Sequence, residues 1–371
     1  MKIIADKNIP YLKGIVEHFG DVIYLDGSAF TQDTIKDADT LIVRTVTHFG
    51  ESILKDSNVK LICSATIGYD HIDTAYCDAH GIIWKNAPGC NSGSVMQYVV
   101  SSLITIARKK GFDLRDKTIG IVGVGNVGKK VAKACEILGM KVLLNDPPRQ
   151  DQEKNSDFVN LQAIMNEADI ITFHTPLIKE GKYKTYHLAD KEFFSLLRRK
   201  PVIINSARGG IIDTSAIKDV IKENKISGAI IDCWENEPRI DLEYLDLVDI
   251  ATPHIAGYSA DGKANATRMS LESIADFYGL DKQPVSLVKE PVPVSPVIDM
   301  NRYSKSENRI YEAILDTYNP LDDFASLKAS PDTFKGLRNG YPLRREYFAY
   351  TVINASGNER DILRDLEFKH E

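Results

Sequence analysis

Short apolar runs, separated by polar stretches of helical length, set the plan of this chain. Residues 2–5, 22–25, 41–43 and 61–64 read as strands, with residues 6–19 and 31–38 as helices or their approaches. A second series begins near Ser94, where residues 95–108 (VMQYVVSSLITIAR) are long and apolar enough for a buried helix. Residues 118–122 then read as a strand, 129–138 as a helix and 141–145 as the next strand. Further strands are expected at 170–173, 202–205, 229–232 and 250–252, and a long helix at 256–279. Strand alternating with helix buries both faces of a parallel sheet. The expected fold class is therefore α/β, with two doubly wound, Rossmann-like parallel sheets.

Residues 284–296 (PVSLVKEPVPVSP) read as a linker, because proline lacks an amide donor and favours extended backbone. Beyond it, a helix at 307–318, the approach to Phe334 and a strand at 347–353 suggest a small third α/β unit. The expected division is 1–93 with 258–283, then 94–257, the linker 284–296, and 297–371.

Composition narrows the setting. The 371 residues are 43% hydrophobic and 26% charged with a net charge of −6, which argues against broad binding to nucleic acid or an anionic membrane. The five cysteines (Cys63, Cys77, Cys90, Cys135, Cys233) show no metal-ligand spacing, so no metal site is expected and a reducing cytoplasm fits. The opening MKIIADKNIP lacks the pattern of a signal peptide, and no apolar stretch is long enough to span a bilayer.

Candidate chemistry starts at Gly123-Val124-Gly125-Asn126-Val127-Gly128, between a strand and a helix. The first glycine permits a tight turn, the second lets backbone approach a pyrophosphate, and the third lets helix and strand pack closely. The helix start offers unpaired N–H groups to phosphate. Asp146 ends the next strand, where a carboxylate can accept from both adenosine ribose hydroxyls and repel a 2′-phosphate. NAD is thus expected over NADP, with Arg149 as the one feature pointing the other way; Asp146 can also simply open the turn at Asp146-Pro147-Pro148. Thr175 and Asp232, at later strand ends, are candidate contacts for the nicotinamide half or local turn caps.

Arg208, Glu237 and His254 follow three successive strands. Oxidising a hydroxyl-bearing carbon needs a base for the hydroxyl proton, and histidine titrates near working pH. A carboxylate orients the ring, and arginine grips a substrate carboxylate. His71 and His174 are rival bases, but only His254 has an acidic loop on the preceding strand.

These stretches carry a family resemblance. With Ala65-Thr66-Ile67-Gly68-Tyr69-Asp70-His71-Ile72-Asp73, Asn205-Ser206-Ala207-Arg208-Gly209, Asp232-Cys233-Trp234-Glu235-Asn236-Glu237-Pro238 and Thr252-Pro253-His254-Ile255-Ala256-Gly257, the first 280 residues resemble the D-isomer-specific 2-hydroxyacid dehydrogenases. The resemblance implies the catalytic roles of Arg208, Glu237 and His254, and an expected cofactor set of Gly123, Gly125, Asn126, Val127, Gly128, Asp146, Thr175, Ala207, Asp232 and Gly257. It makes the first segment a substrate-binding lid and the second the NAD domain.

Further likeness, at Val43-Arg44-Thr45-Val46-Thr47, Asn86-Ala87-Pro88-Gly89-Cys90-Asn91, Asn145-Asp146-Pro147-Pro148-Arg149, His254-Ile255-Ala256-Gly257-Tyr258-Ser259 and Tyr341-Pro342-Leu343-Arg344-Arg345-Glu346, is to a branch acting on a phosphorylated four-carbon acid. That branch has a C-terminal dimerisation domain, which implies a homodimer. Arg44, Thr45 and Thr66 are then candidates for the phosphate, with a surface salt bridge as the alternative role of Arg44, Ile67 and Gly68 backbone for the carboxylate, and Tyr258 for the same substrate. Thr45 stands where a serine is more often expected and keeps the hydroxyl. Arg344 and Arg345 can brace a dimer or reach a partner's site. Two rival readings are a dehydrogenase of another acid, such as 3-phosphoglycerate, and an NAD-sensing protein without turnover.

Overall fold

In the computed structural model, which describes residues 1–154 and 157–371, the apolar runs of the first 252 residues form strands within a residue or two of where the pattern places them. Contacts divide the chain into Met1–Asn91 with Ser259–Val292, and Ser92–Tyr258 with Pro293–Glu371.

In the first unit, β1 (Lys2–Asp6), β2 (Asp21–Leu25), β3 (Thr40–Val43), β4 (Leu61–Ser64) and β5 (Ile83–Lys85) form a parallel sheet in the order β2-β1-β3-β4-β5. Alternation along the strands sends Ile3, Ile42, Leu61 and Cys63 to one face and Ile4, Leu41, Val43 and Ile62 to the other. The first face packs on helix Ala260–Tyr278 through Ala264, Leu271 and Ile274. That helix begins four residues later than the sequence suggests. Ser259 caps it by accepting from the Gly262 amide at 2.8 Å, and Gly279 ends it in the left-handed region.

Residues 6–19 correct the expectation of a helix. They form turns ending in a 3-10 turn, Val16–His18. Pro10 and the positive φ of Gly14 (87°) and Tyr11 (62°) interrupt any helical run. The expected helix at 31–38 shrinks to Gln32–Ile35 behind a Thr31 cap.

In the second unit, β6 (Thr118–Val122), β7 (Lys141–Asn145), β8 (Ile170–Phe173), β9 (Val202–Asn205), β10 (Gly228–Ile231) and β11 (Ile250–Ala251) are parallel in the order β11-β10-β9-β8-β6-β7. The strand order reverses between β6 and β8, so their carboxyl ends open the crevice where such sheets bind ligands. Helix Ser92–Lys110 is buried from Ser92 to Ala107, and helix Asn126–Ile137 starts three residues earlier than expected, directly on the glycine loop.

The C-terminal segment carries β12 (Val297–Asp299), β13 (Thr351–Ile353) and β14 (Lys369–His370), again parallel. Expected as a separate unit, it shares one core with the second sheet. Ile298, Ile314, Tyr347 and Phe368 pack in the same cluster as Val99, Leu103, Ile121 and Ile204. Only 351–353 of the expected strand 347–353 pairs, since Tyr347–Ala349 turn as a 3-10 helix with Tyr347 buried. The proline-rich stretch is also partly folded. Gln283–Leu287 form a 3-10 turn, with Val285 and Val288 buried, before Val292 and Val294 emerge into solvent. Among the described residues, no helix is long and apolar enough to cross a membrane.

Candidate active site

The glycine loop has the geometry its sequence requires. Gly123 sits at φ 91°, and a Cβ on Gly128 would lie 2.0 Å from the Gly123 carbonyl oxygen, so the helix start can approach β6 only without a side chain. A Cβ on Gly125 meets nothing within 4 Å, so this position and exposed Asn126 face open space. Val127 is half-buried.

Asp146 does two jobs. One carboxylate oxygen accepts from the Val124 amide at 2.8 Å, and the other caps helix Pro147–Glu153 through the Arg149 amide at 3.1 Å. The turn-opening role is real, and each oxygen retains a lone pair for a ribose hydroxyl. Arg149 is engaged elsewhere: it holds Glu153 at 2.6 and 2.7 Å and donates to the Val124 carbonyl at 2.7 Å. The hydroxyls of Thr175 and Ser206, after β8 and β9, are buried without a hydrogen-bond partner among the described residues. Orphaned donors beside an open glycine cradle fit a dinucleotide laid across this crevice.

His254 and Glu237 meet as expected. The His254 Nδ1 lies 2.7 Å from Glu237 Oε2, while Glu237 Oε1 accepts from the Trp234 amide at 2.8 Å. Burial opposes ionisation of Glu237, but the His254 ring and the Trp234 amide outweigh it and hold the carboxyl below its usual range. An ionised carboxylate only accepts, so Nδ1 carries a proton, and in the neutral ring the lone pair then lies on Nε2. His254 itself sits at φ 57°, a left-handed conformation costing a non-glycine residue about 1–2 kcal/mol.

Arg208 joins them through the loop after β9. Its Nη1 donates to the Ala207 carbonyl at 2.8 Å, and buried Asn205 shapes the turn by accepting from the Ala207 amide (3.1 Å) and donating to the Arg208 carbonyl (2.9 Å). The next residue, Gly209, presses on the Glu237 loop: a Cβ there would stand 2.0 Å from the Trp234 carbonyl oxygen. Cys233 marks where the three converge, since its thiol feels Arg208 and Glu237 and its Sγ lies within 4.8 Å of ligand atoms on Glu237 and His254. Burial and the adjacent Asp232 and Glu237 push that thiol well up, and the protonated form is a poor metal ligand.

Asp232 sits behind this centre rather than in an open position. Fully buried, it accepts from the Ile255 amide (2.7 Å), the Ala256 amide (3.1 Å) and the Thr252 hydroxyl (2.7 Å). Gly257 and Tyr258 follow, half-buried, with the Tyr258 ring 5.5 Å from the Arg338 guanidinium carbon. Arg338 also donates to the His254 carbonyl at 3.3 Å. Sequence reasoning missed the roles of Asn205, Gly209 and Arg338. A glycine immediately after the candidate arginine was the available signal for Gly209.

In the first unit, Arg44 forks onto buried Asp6 at 2.9 and 3.2 Å through Nε and Nη2. Thr45 is exposed. Thr66 shares a hydrogen bond with Ser64 (2.7 Å) and donates to the Gly68 carbonyl (2.9 Å), while Asn86 holds the Ile67 carbonyl at 2.7 Å.

The rival bases are neutral rings, His71 buried and His174 half-buried with its Nδ1 shut off from solvent. Burial pushes His71 down to about 4 and His174 to about 3, against an ordinary value of 6.5. The unfolded chain therefore takes up two protons that the native state refuses. This contribution to stability is intact above pH 6.5 and is lost as pH falls toward 4 and then 3. We expect up to about 1.4 kcal/mol per pH unit from each histidine, and a His174→Gln variant with a flatter urea midpoint between pH 6.5 and 4. Identical pH slopes for the two proteins would contradict this.

Residues 96–256 match the family profile described as D-isomer specific 2-hydroxyacid dehydrogenase, NAD binding domain. An erythronate-4-phosphate dehydrogenase of Bacteroides thetaiotaomicron is 54% identical over 95% of this chain and 99% of its own length. One of Porphyromonas gingivalis is 45% identical over 99% and 100%. Among solved structures, the NAD+-bound 3-phosphoglycerate dehydrogenase of Entamoeba histolytica is 29% identical with a TM-score of 0.65, covering 75% of this chain and 95% of its own. The chain belongs to the D-isomer specific 2-hydroxyacid dehydrogenase family, in its erythronate-4-phosphate dehydrogenase branch. Its cofactor is NAD.

Proposed function

We propose that this chain oxidises 4-phospho-D-erythronate to 2-oxo-3-hydroxy-4-phosphobutanoate with NAD, a step in the synthesis of pyridoxal phosphate. The dehydrogenase chemistry rests on the 2.7 Å contact between His254 and an ionised Glu237. The choice of acid rests on relatives of 45–54% identity that carry the erythronate-4-phosphate dehydrogenase name.

NAD, when bound, supplies the acceptor for the hydride from C2. Gly125, Asn126, Val127 and Gly128 would present backbone N–H groups to the pyrophosphate, Gly123 would shape the turn because its own N–H goes to the Asn145 carbonyl at 2.8 Å, and Asp146 would take the adenosine ribose. Thr175, Ala207, Asp232 and Gly257 line or support the nicotinamide half. Arg208 grips the substrate carboxylate. His254 Nε2 receives the C2 hydroxyl proton as the hydride departs, and Glu237 steadies the imidazolium. In the first unit, Arg44, Thr45 and Thr66 are assigned to the phosphate and the Ile67-Gly68 backbone to the carboxylate. Arg44 can do this through Nη1, since Asp6 occupies Nε and Nη2. Tyr258 is assigned to the same substrate.

The enzyme is further read as a cytoplasmic homodimer. Its five cysteines are buried and form no disulfide among the described residues, and exposed Val294, Val297 and Phe348 give the C-terminal segment apolar surface for a second copy. A panel of 2-hydroxy acids followed by NADH absorbance tests the function. We expect kcat/KM for 4-phosphoerythronate to exceed that for 3-phosphoglycerate by at least about 10²-fold, rising toward about 10⁴-fold where the missing hydroxyl leaves buried polar groups unpaired. Preference for 3-phosphoglycerate would reassign the substrate, and tight NADH binding without turnover on any acid would make the chain a sensor.

A further inference from the structure

The backbone after His254 is gripped from both sides by buried ions. Asp232, 1% exposed, takes the N–H groups of Ile255 and Ala256 at 2.7 and 3.1 Å. Arg344, 8% exposed, takes the carbonyls of the same two residues, Ile255 through Nη1 at 3.2 Å and Ala256 through Nη2 at 2.5 Å. The peptide joining Ile255 to Ala256 is held at both ends, its N–H by Asp232 and its carbonyl by Arg344, while Asp232 also holds the peptide before it and Arg344 the peptide after it. Both ions are largely shielded from water, where such contacts are stronger.

Arg344 is itself rigidly held. It donates to Gln97 Oε1 (3.0 Å), the Ser94 carbonyl (3.2 Å) and the Tyr341 hydroxyl (3.1 Å), and its guanidinium carbon lies 4.2 Å from the centre of the Tyr318 ring. Gln97 is anchored in turn by donating to Thr317 and the Arg345 carbonyl. Nearby, Gly93 leaves space for Glu346, which accepts from Ser94 at 2.8 Å. An arginine retains its charge when buried. A lysine would place one compact ammonium where this planar fork serves several acceptors.

We propose that Arg344 is a positioning residue for His254. With Asp232 it clamps peptides 255 and 256, and so keeps His254 in its left-handed conformation with Nδ1 on Glu237. The stretch Tyr341-Pro342-Leu343-Arg344-Arg345-Glu346 thus serves the proton acceptor of its own chain. The inference rests on reading His254 as the base.

Full-length Arg344→Ala and Arg344→Lys test it, by single-turnover NADH formation normalised to the number of NADH-binding sites. A misplacement near 1 Å can cost about 10²-fold. We expect a loss of about 10²-fold per site in Arg344→Ala, a smaller loss in Arg344→Lys, and NADH affinity changed by less than about threefold. Millimolar guanidinium should restore part of the rate to Arg344→Ala and none to Arg344→Lys, whose side chain fills the cavity. A merely structural role would lower the number of sites and leave the rate per site unchanged, which overturns the proposal. Should Arg344→Ala not fold, the rate per site of Arg344→Lys decides. His254→Asn separates the two readings. If that variant turns over, the base assignment fails whatever Arg344 does; if it is dead while both Arg344 variants keep the wild-type rate, only the clamp falls.

Discussion

Replacing His254 with asparagine lowers kcat by about 10²–10⁴-fold, the range general acid–base catalysis supplies, while NADH binding stays within about threefold. Asparagine is the informative choice. Its amide can still donate to Glu237 Oε2, which accepts from His254 Nδ1 at 2.7 Å in the native protein. It also tolerates the left-handed backbone at this position, where φ is 57°. The substitution therefore removes the Nε2 lone pair and little else. Neither His71 nor His174 can take over, because burial holds both rings neutral down to about pH 4 and 3 and leaves them weak bases. Steady-state NADH formation and titration of NADH binding are the two measurements. Turnover within about tenfold of wild type would move the base elsewhere.

Gly209→Ala should disable the enzyme without touching a chemical group. The added Cβ would lie 2.0 Å from the Trp234 carbonyl oxygen, 2.1 Å from its carbon and 2.5 Å from the Glu235 nitrogen, all of them backbone. A flexible side chain could swing aside; these atoms cannot. The loop carrying Arg208 must separate from the loop carrying Glu237 by about 1 Å, a displacement worth about 10²-fold in rate. The same overpacking should cost about 1–3 kcal/mol of stability. Because the Gly123–Gly128 cradle is untouched, NADH should still bind, which distinguishes this outcome from general unfolding. An alanine variant with normal kcat and normal thermal midpoint would mean the two loops are not held in register.

What the sequence made legible follows the range of the interaction. Local rules sufficed for strands, since β4 and β8 are continuous apolar runs that end within a residue of their expected limits. They sufficed for the glycine loop, where spacing alone dictates close approach. They also placed Arg208, Glu237 and His254, because successive strand ends of a parallel sheet share one edge. They failed at residues 6–19, where polar residues at helical length hid the breaks imposed by Pro10, Tyr11 and Gly14. They failed again for the C-terminal segment. Arg344 meets Gln97 across 247 residues and Ala256 across 88, and no local pattern encodes such pairings. Buried arginine is rare enough that surface exposure is the natural expectation for a basic pair.

The bond between Ser94 and Glu346 spans 252 residues of chain. During synthesis at about 5–20 residues per second, the start of the long buried helix emerges roughly ten seconds to a minute before the partner that completes it. Until then the apolar stretch Val95 to Ala107 lacks the cover that this segment gives it in the folded chain. The core of the NAD-binding half is therefore completed only after the segment carrying Glu346 has been made.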